Sequence, residues 1–525
     1  MKDQQVAMMT TEVEDKRVEE AQLKLKSDPL ANESESIVLV SHLSKLLERK
    51  DWKKEQFGEV PTIVRALQRY FESMQELQRS KSFVEKVGSN EAKAIIESNR
   101  TRLKSYQSAL RTFCRSEHCP AGVRVELIFA VLDSIKLEAS KRFQVENLDF
   151  VLQLICCGDQ LTELLLETLS TEYFRYVDVT YYGLKSLSQL CTKLKGNKSA
   201  VADVEDTICN VFDVMRCLTK SVRTFLSDEV PLEEAATLTR KGEGEGEKEE
   251  GEAVHVPKYL QEKMLKHTFT QAWLSFLRLP LPSHVLKRAL TMLPEDIMKN
   301  MTTPVLLSDI LTNCVDQKGL IGILALHGLF LLVVEHGLEY PNFYRKLYNM
   351  LTVSTFLTKY RAKFYRLVDT FLSTPLIPAY VVAAFIKRFA RMAIQAPPHG
   401  ALLAMAFIFN LIRRHPSCAM VLQGKSSSKD GQADPYNETE DDPAKARALE
   451  SSLWELETLK SHYYHEVARF VSVFKRDMTK RNKYTEIDIE KFVSRSYDET
   501  YRRENAKRLK MCAVKFLDKE RENLF

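Results

Sequence analysis

Residues 340–416 of the chain read YPNFYRKLYNMLTVSTFLTKYRAKFYRLVDTFLSTPLIPAYVVAAFIKRFARMAIQAPPHGALLAMAFIFNLIRRHP. The stretch contains three amphipathic patterns, each separated from the next by proline. In the first pattern the apolar side chains recur at the spacing of one helix face, at Tyr360, Phe364, Leu367, Val368 and Phe371. The second pattern repeats this spacing at Val382, Phe385, Phe389 and Met392, and the third runs from Ala401 to Arg414. Proline is tolerated only in the first turn of a helix, so the prolines predict three short antiparallel helices.

Helical patterns continue on both sides of this stretch. Between Ser34 and Phe225, and again from Lys258, apolar residues recur at helical spacing, and no clear period-two run indicates a strand. Two acidic segments interrupt the helices, KGEGEGEKEEGEA at 241–253 and QGKSSSKDGQADPYNETEDDP at 423–443. Such low-complexity, polar composition predicts disorder. The sequence therefore predicts an all-α fold, a HEAT/armadillo-like helical solenoid with acidic disordered linkers.

Six consecutive regions follow from these patterns. They are a loose N-terminal tail, an N-terminal helical repeat domain, an acidic Gly/Glu linker, a second helical domain, an acidic loop and C-terminal helices, at residues 1–33, 34–240, 241–256, 257–422, 423–443 and 444–525. A long helix is expected from Ala444 to about Ser461, and the last segment is expected to be a capping helix or a protruding basic arm. Four large side chains are predicted to be structural anchors, Tyr380, Phe385, Trp454 and Leu456, and the last two are expected to be buried.

Charge is distributed unevenly along the chain. From Leu320 to Pro416 there are 11 Lys and Arg against three acids, whereas the net charge of the whole chain is only +5. Because the cations lie off the apolar stripes, they predict a basic face for an acidic partner, either protein or RNA. The candidate partner- or RNA-binding residues are Lys359, Lys363, Arg366, Lys387, Arg388, Arg391, Arg413 and Arg414. A merely solvated face is the alternative, and any RNA contact is expected at phosphates, since no base-reading motif is present.

Two stretches are hydrophobic enough to suggest a membrane. Leu320 to Val334 contains 15 residues and Ala401 to Ile412 contains 12. Both are shorter than the roughly 20 residues that a bilayer requires. Helices buried inside a solenoid are therefore the favoured interpretation, and a membrane role is not expected.

No catalytic or metal-binding motif is recognisable. The glycine-rich phosphate loops, the nucleophile elbow and the paired-histidine zinc motif are all missing from the sequence. His462 and His465 are spaced to share a helix face, but no third ligand stands at a metal-site spacing. The ten cysteines include no Cys-x-x-Cys pair, which favours a reducing nuclear or cytosolic compartment over a disulfide scaffold. Catalytic, cofactor and metal residues are therefore predicted to be none.

Several short strings resemble a known family. They are Tyr340-Pro341-x-Phe343-Tyr344, Phe371-Leu372-Ser373, Pro378-Ala379-Tyr380, Phe385-Ile386-Lys387-Arg388, Arg413-Arg414-His415-Pro416, Asp434-Pro435-Tyr436, Asp442-Pro443 and Ser451-Ser452-Leu453-Trp454-Glu455-Leu456. In this order they resemble the CCAAT-binding-factor domain family of nucleolar complex proteins. The resemblance is dense from about Gly319 to Val467 and assigns residues 257–422 to a helical domain of this type.

The resemblance implies a function that the residues alone do not. It implies a non-enzymatic scaffold of the nucleus and nucleolus, acting in ribosome biogenesis. The implied role is processing of small-subunit pre-rRNA and assembly and export of small-subunit precursors, in a complex with nucleolar protein 14. The expected partners are that protein and a pre-ribosomal particle, the latter through protein and through pre-rRNA contacts without sequence specificity. No small-molecule substrate is expected.

Other classes of protein remain as alternatives. A helical-solenoid adaptor in nuclear transport or trafficking would bind only proteins, but an importin-like one would carry an acidic concave surface. A DNA-binding transcription factor is suggested by the family's name, yet no helix-turn-helix, zinc or basic-zipper pattern is present. An enzyme is the least favoured class.

Overall fold

The computed structural model describes residues 20–21, 24, 33–48, 59–79, 89–116, 119–136, 143–158, 163–196, 201–227, 258–317, 319–423, 434–475 and 485–506. Within these ranges every regular element is a helix, which confirms the predicted all-α class. The chain divides into two compact units, Met1–Leu307 and Ser308–Phe525. The predicted linker at 241–256 and most of the predicted tail at 1–33 lie outside the described residues.

The first unit consists of helices that pack on their near neighbours in sequence. In chain order its helices α1 to α10 are Glu33–Glu48, Glu59–Arg79, Ser89–Arg115, Ala121–Lys136, Val145–Cys157, Glu163–Glu172, Val177–Gly196, Val201–Phe225, Glu262–Leu277 and Ser283–Met292. Helix α4 contacts α3 and α5, and α7 contacts α5, α8 and α9. Contacts between helices one or two places apart are those of a helical solenoid, as predicted.

Trp273 of α9 is a large side chain in the core of this unit. Its indole is fully buried and lies edge-on to Phe269 and Phe276 of the same helix. The indole N–H donates to the hydroxyl of Thr219 on α8 at 3.2 Å. A buried indole needs such an acceptor, because an unpaired N–H in the core costs free energy.

The second unit contains the stretch with which the sequence analysis began. Its helices α11 to α21 are Ser308–Val315, Leu320–His336, Phe343–Met350, Arg361–Leu372, Ala379–Gln395, Pro398–Arg414, Met420–Gln423, Trp454–Leu459, His465–Val471, Glu490–Val493 and Tyr497–Ala506. Helices α14, α15 and α16 correspond to the three predicted amphipathic patterns. The prolines act as expected, since α15 begins directly after Pro378 and α16 begins at Pro398.

Helix α16 is the central element of the second unit. Every residue from Pro398 to Ile412 is buried, and the helix contacts α15, α19 and α20. Gly400 allows the close approach of the preceding chain, because a Cβ there would stand 2.9 Å from the ring of Phe356. This helix is therefore buried on all sides, as the hydrophobic stretch at 401–412 predicted.

The other hydrophobic stretch forms α12, which is buried over its first turns and exposed at Val334 near its end. The helix stops at Gly337, whose left-handed φ of 66° suits a residue without a side chain. Among the residues that the structure describes, no helix combines the length and the apolarity needed to cross a membrane.

Two expectations about the C-terminal part are wrong. The long helix from Ala444 does not form, because Arg447 adopts a left-handed φ of 53° and a short 3-10 turn, Ala448–Glu450, precedes α18. Disorder of the acidic loop at 423–443 is wrong for residues 434–443, and residues 424–433 lie outside the described residues. Its described part, from Asp434 to Pro443, is turn-rich but attached to the core, and Tyr436 is buried there with its hydroxyl 2.6 Å from that of Tyr348.

Candidate partner-binding site

Helix α15 carries Lys387, which the sequence predicted to face solvent. Its side chain is instead 0% exposed. The ammonium donates to the backbone carbonyl of Ser452 at 2.6 Å and to Oε2 of Glu455 at 3.0 Å, and it lies 3.0 Å from Oδ2 of Asp434. A buried ammonium is tolerated only when it is paired and hydrogen-bonded in this way.

Arg391 lies one turn further along α15 and faces the same two carboxylates. Its Nη2 donates to Oδ2 of Asp434 at 2.7 Å, and its Nε is 2.9 Å from Oε1 of Glu455 without hydrogen-bond alignment. The guanidinium also lies 4.6 Å from the ring centroid of Trp454, a cation–π contact. Lys387, Arg391, Asp434 and Glu455 are called the charge cluster below; two cations face two carboxylates.

The carboxylates of the charge cluster differ in their titration. Burial alone would raise the pKa of Asp434, but hydrogen bonds from Ser451, Trp454 and Lys387 hold it well below the ordinary value. Burial raises the pKa of Glu455 above its ordinary value, although the hydrogen bond from Lys387 and its charge oppose this. We regard both groups as ionised at neutral pH, because each lies within 3.0 Å of both cations.

Arg388 is held by backbone oxygens on the other side of α15. Its Nε donates to the carbonyl of Leu351 at 3.2 Å and its Nη1 to the carbonyl of Glu438 at 3.0 Å. The guanidinium also stacks 4.9 Å from the ring centroid of Tyr348. Arg388 therefore fastens the described part of the acidic loop to α13 and α15.

Three more of the predicted cations, Arg366, Arg413 and Arg414, contact the segment at 485–506. Arg366 of α14 makes a two-pronged contact with Glu490, its Nε lying 2.7 Å from the carboxylate. Arg414 of α16 pairs with Asp369 at 2.8 Å and with Glu486 at 2.9 Å, and Arg413 stands 3.8 Å from Glu486. These pairs are partly exposed, so each contributes little free energy, but together they fix the segment in place.

The central anchor of that segment is neutral. Asn410 of α16 is 1% exposed, and its amide binds both backbone groups of Ile487. Its Nδ2 donates to the carbonyl of Ile487 at 2.8 Å, and its Oδ1 accepts the N–H of Ile487 at 2.9 Å. Asn410 was not identified from the sequence. The signal that could have found it is a single polar residue within a hydrophobic run.

Six of the eight cations that were predicted to form a basic face for an acidic partner, either protein or RNA, are engaged within the chain. Lys387, Arg388, Arg391, Arg366, Arg413 and Arg414 bind carboxylates or carbonyls of this same chain. Periodicity placed them off the apolar stripe, but acidic segments from later in the chain cover them. Lys363 is half-buried and has an interaction within the protein. Lys359 is exposed and forms no ion pair with any residue that the structure describes.

The predicted structural anchors divide into two pairs. Phe385 and Leu456 are buried, at 0% and 6% exposure. Trp454 and Tyr380 are 40% and 45% exposed, so the predicted burial of Trp454 is wrong and Tyr380 is not a core residue. Trp454 covers the outer side of the charge cluster, where its indole N–H donates to Oδ2 of Asp434 at 2.8 Å.

Two exposed surfaces of the second unit are the remaining candidates for binding. The apolar patch consists of Leu376, Tyr380 and Met420 around the N-terminal end of α15, where the thiol of Cys418 donates to the carbonyl of Ala379. The tyrosine surface consists of Tyr463, Tyr497 and Tyr501. Sequence reasoning missed both, because aromatic residues at helical spacing are normally assigned to a core.

The residues considered for metal binding form no such site in the described part of the chain. No group of three His, Cys, Asp or Glu there could hold an ion. His462 is used locally: its Nδ1 accepts the backbone N–H of Tyr464 at 3.1 Å, and its ring stacks on Tyr463.

The chain is similar to known proteins over the region just described. The profile of the CBF/Mak21 family matches residues 322–471, which include the charge cluster. Nucleolar complex protein 4 homolog B of Xenopus laevis is 38% identical over 389 residues, covering 73% of this chain and 69% of that protein. The Arabidopsis thaliana protein NUCLEOLAR COMPLEX ASSOCIATED 4 is 31% identical over 464 residues, covering 81% and 80%. Nucleolar complex protein 4 homolog of Homo sapiens is 47% identical over 214 residues, 41% of each chain.

The helical fold and the match to the CBF/Mak21 family together give the class of this protein: it is an all-α protein that contains a CBF/Mak21 domain. The chain also covers two thirds or more of the length of the Xenopus laevis and Arabidopsis thaliana relatives, which is enough to assign it to their family. The chain belongs to the nucleolar complex protein 4 family. Its localisation is accordingly nucleolar, and its role is that of a ribosome-biogenesis factor of a non-catalytic type, associated with pre-ribosomal particles.

Proposed function

We propose that this protein is a non-enzymatic scaffold for maturation of the small ribosomal subunit. It supports small-subunit pre-rRNA processing and the assembly and export of small-subunit precursors, in a complex with a partner of the nucleolar protein 14 type. The observation that carries the proposal is the similarity to nucleolar complex proteins over most of the chain.

The apolar patch is the surface that we assign to the protein partner. Leu376 is 87% exposed, Met420 60% and Tyr380 45%. Tyr380 is in the first turn of α15, Leu376 precedes that turn, and Met420 follows Cys418, whose thiol contacts the carbonyl of Ala379. Large apolar side chains that cluster on the surface of a folded unit favour a protein interface. The predicted cations cannot take this role, since most of them are engaged inside the chain. Lys359 remains a candidate for a phosphate contact of the pre-ribosomal particle.

The proposal is tested by replacing the endogenous protein with a variant that carries Leu376→Glu, Tyr380→Glu and Met420→Glu. Carboxylates on the patch should exclude an apolar partner surface, whereas the fold should persist because the three side chains are exposed. We expect the nucleolar protein 14-type partner to be lost from affinity purifications and small-subunit pre-rRNA to accumulate, as after depletion.

Leu357→Glu is the matched control, since Leu357 is 69% exposed on a 3-10 turn of the same unit. It should purify with the partner and support normal rRNA processing. Retention of the partner by the triple variant would show that the patch is not the interface. Depletion that leaves small-subunit pre-rRNA unchanged, but mislocalises a transported protein, would favour the adaptor alternative.

A further inference from the structure

Three tyrosines on the second unit have largely exposed side chains. Tyr463 is 80% exposed, Tyr497 66% and Tyr501 61%. Tyrosines that serve the core of this unit are buried, as Tyr348 and Tyr365 show at 0%. Exposed aromatic rings gathered on one surface are typical of sites that stack against a flat ligand.

The rings are presented by a well-defined local structure. Tyr497 and Tyr501 are one helical turn apart on α21 and so share a face. The helix begins with a capping arrangement, in which the hydroxyl of Ser496 accepts the backbone N–H of Glu499 at 3.0 Å. The exposed side of the rings is thus set by the helix and not by a loop.

Tyr463 is attached to the same surface from another segment. Its ring stacks on His462, with centroids 4.4 Å apart, which leaves one aromatic face available. The next residue, Tyr464, donates its hydroxyl to Glu504 of α21 at 3.1 Å. Partial burial and then the neighbouring phenol of Tyr497 raise the pKa of Tyr463, as expected for rings that lie close together.

Charged side chains of both signs accompany the rings, since α21 carries two arginines and three acids. Arg502 and Arg503 pair with Asp498 and Glu499 one turn earlier, yet their side chains remain 78% and 52% exposed. Such surface pairs are weak and exchange readily for a phosphate. Only beyond the helix does the sequence become basic, since residues 507–515 contain four Lys and Arg and no acid. The apolar patch lacks a comparable run, which distinguishes the two surfaces.

We propose that Tyr463, Tyr497 and Tyr501 form a stacking surface for single-stranded RNA, with the adjacent arginines contacting phosphates. Stacking on tyrosine tolerates every base, so binding is expected to be insensitive to sequence and to weaken with salt. The inference deepens the proposed function by naming an RNA contact, but the binding itself does not depend on which subunit is matured.

The experiment uses the full chain and a fluorescein-labelled, 12-nucleotide single-stranded RNA of mixed sequence. Changing all three tyrosines to alanine should weaken binding at least tenfold, because one stacked base contributes about 1–3 kcal/mol and tenfold corresponds to about 1.4 kcal/mol. Changing all three to phenylalanine is the matched control, which keeps the rings and should bind within about twofold of the original chain. Both variants should keep the melting temperature, since the rings are exposed.

Three results would overturn the inference. The alanine variant would bind the RNA as tightly as the original chain if the rings played no part. A duplex of the same sequence would bind as well as the single strand if cations alone were responsible. Unchanged RNA binding, with loss of a protein that survives ribonuclease treatment, would make the surface a protein interface. None of these results bears on the rRNA-processing test of the proposed function.

Discussion

At the scale of single residues, the charge cluster depends on complete pairing. Lys387 and Glu455 have no exposed surface, so neither charge can be solvated if the other is removed. Breaking a buried pair costs about 3–5 kcal/mol, although replacing a whole cluster with apolar residues can be neutral. Asp434 and Arg391 complete the balance of two cations and two carboxylates. The cluster therefore favours one position of the segments at 434–455 on α15.

The first prediction concerns how the ionisation of Asp434 makes the stability of the protein depend on pH. Its pKa is lowered in the folded protein from the ordinary value of 3.8, so its contribution to stability is present above about pH 4 and is lost as the pH falls. Glu455 has the opposite sign: its folded pKa is raised above 4.5, so its contribution is present below that value and is lost as the pH rises. Comparison with Asp434→Asn removes the titration of Asp434 itself, while Glu455 keeps its contacts with Lys387 and Arg391 in both proteins.

We expect Asp434→Asn to lower the free energy of unfolding at pH 7 by about 1–3 kcal/mol, through the loss of charged hydrogen bonds. The difference between the two proteins should shrink steadily between pH 5 and pH 2, as Asp434 becomes protonated in the original chain. Melting temperatures across that range measure it. A stability difference between the two proteins that stays constant from pH 5 to pH 2 would show that the partners of Asp434 do not lower its pKa.

At the scale of elements, periodicity predicts one side of a helix and leaves the other undetermined. The apolar stripes of α14 and α15 were correctly assigned to the core, and Pro378 and Pro398 mark helix starts as expected. The opposite faces were assigned to solvent because the acids that cover them lie far along the chain. Glu455 is 68 residues from Lys387, and Glu490 is 124 residues from Arg366. No local pattern encodes such pairings.

The prediction at this scale tests the attachment of the segment at 485–493. Asn410→Ala removes both hydrogen bonds to the backbone of Ile487, and leaving a buried group unpaired costs about 1–3 kcal/mol. We expect faster hydrogen exchange at the amide of Ile487 and its neighbours, with α15 and α16 still protected. Asn342→Ala is the control, because Asn342 is exposed and caps α13 without a side-chain hydrogen bond. Unchanged exchange at Ile487 in Asn410→Ala would mean that the ion pairs alone hold the segment.

At the scale of the molecule, the fold class and the family could be predicted from the sequence more reliably than the binding surfaces. Composition and periodicity indicated an all-α chain, and short strings such as Ser451–Leu456 indicated the family. Free surfaces were not predictable in the same way, because exposure depends on which side chains the rest of the chain covers. Lys387 was expected outside and is buried, whereas Trp454 was expected inside and is partly exposed. Most of the predicted cations bind other parts of the same chain, and the exposed apolar and aromatic side chains are the surfaces that we propose for partners.

The most direct test of this account is to compare the melting temperature of the Lys387→Ala variant with that of the Lys359→Ala variant. Loss of about 3–5 kcal/mol in the second unit corresponds to a fall of roughly 6–20 °C, at about 2–4 °C per kcal/mol for a unit of this size. Lys359 is exposed and forms no ion pair with described residues, so its replacement should change the melting temperature by less than about 2 °C. The account predicts this contrast, with binding of the single-stranded RNA retained by folded Lys387→Ala protein at low temperature. An unchanged melting temperature for Lys387→Ala, together with weakened RNA binding, would contradict it and restore the basic face as an external surface.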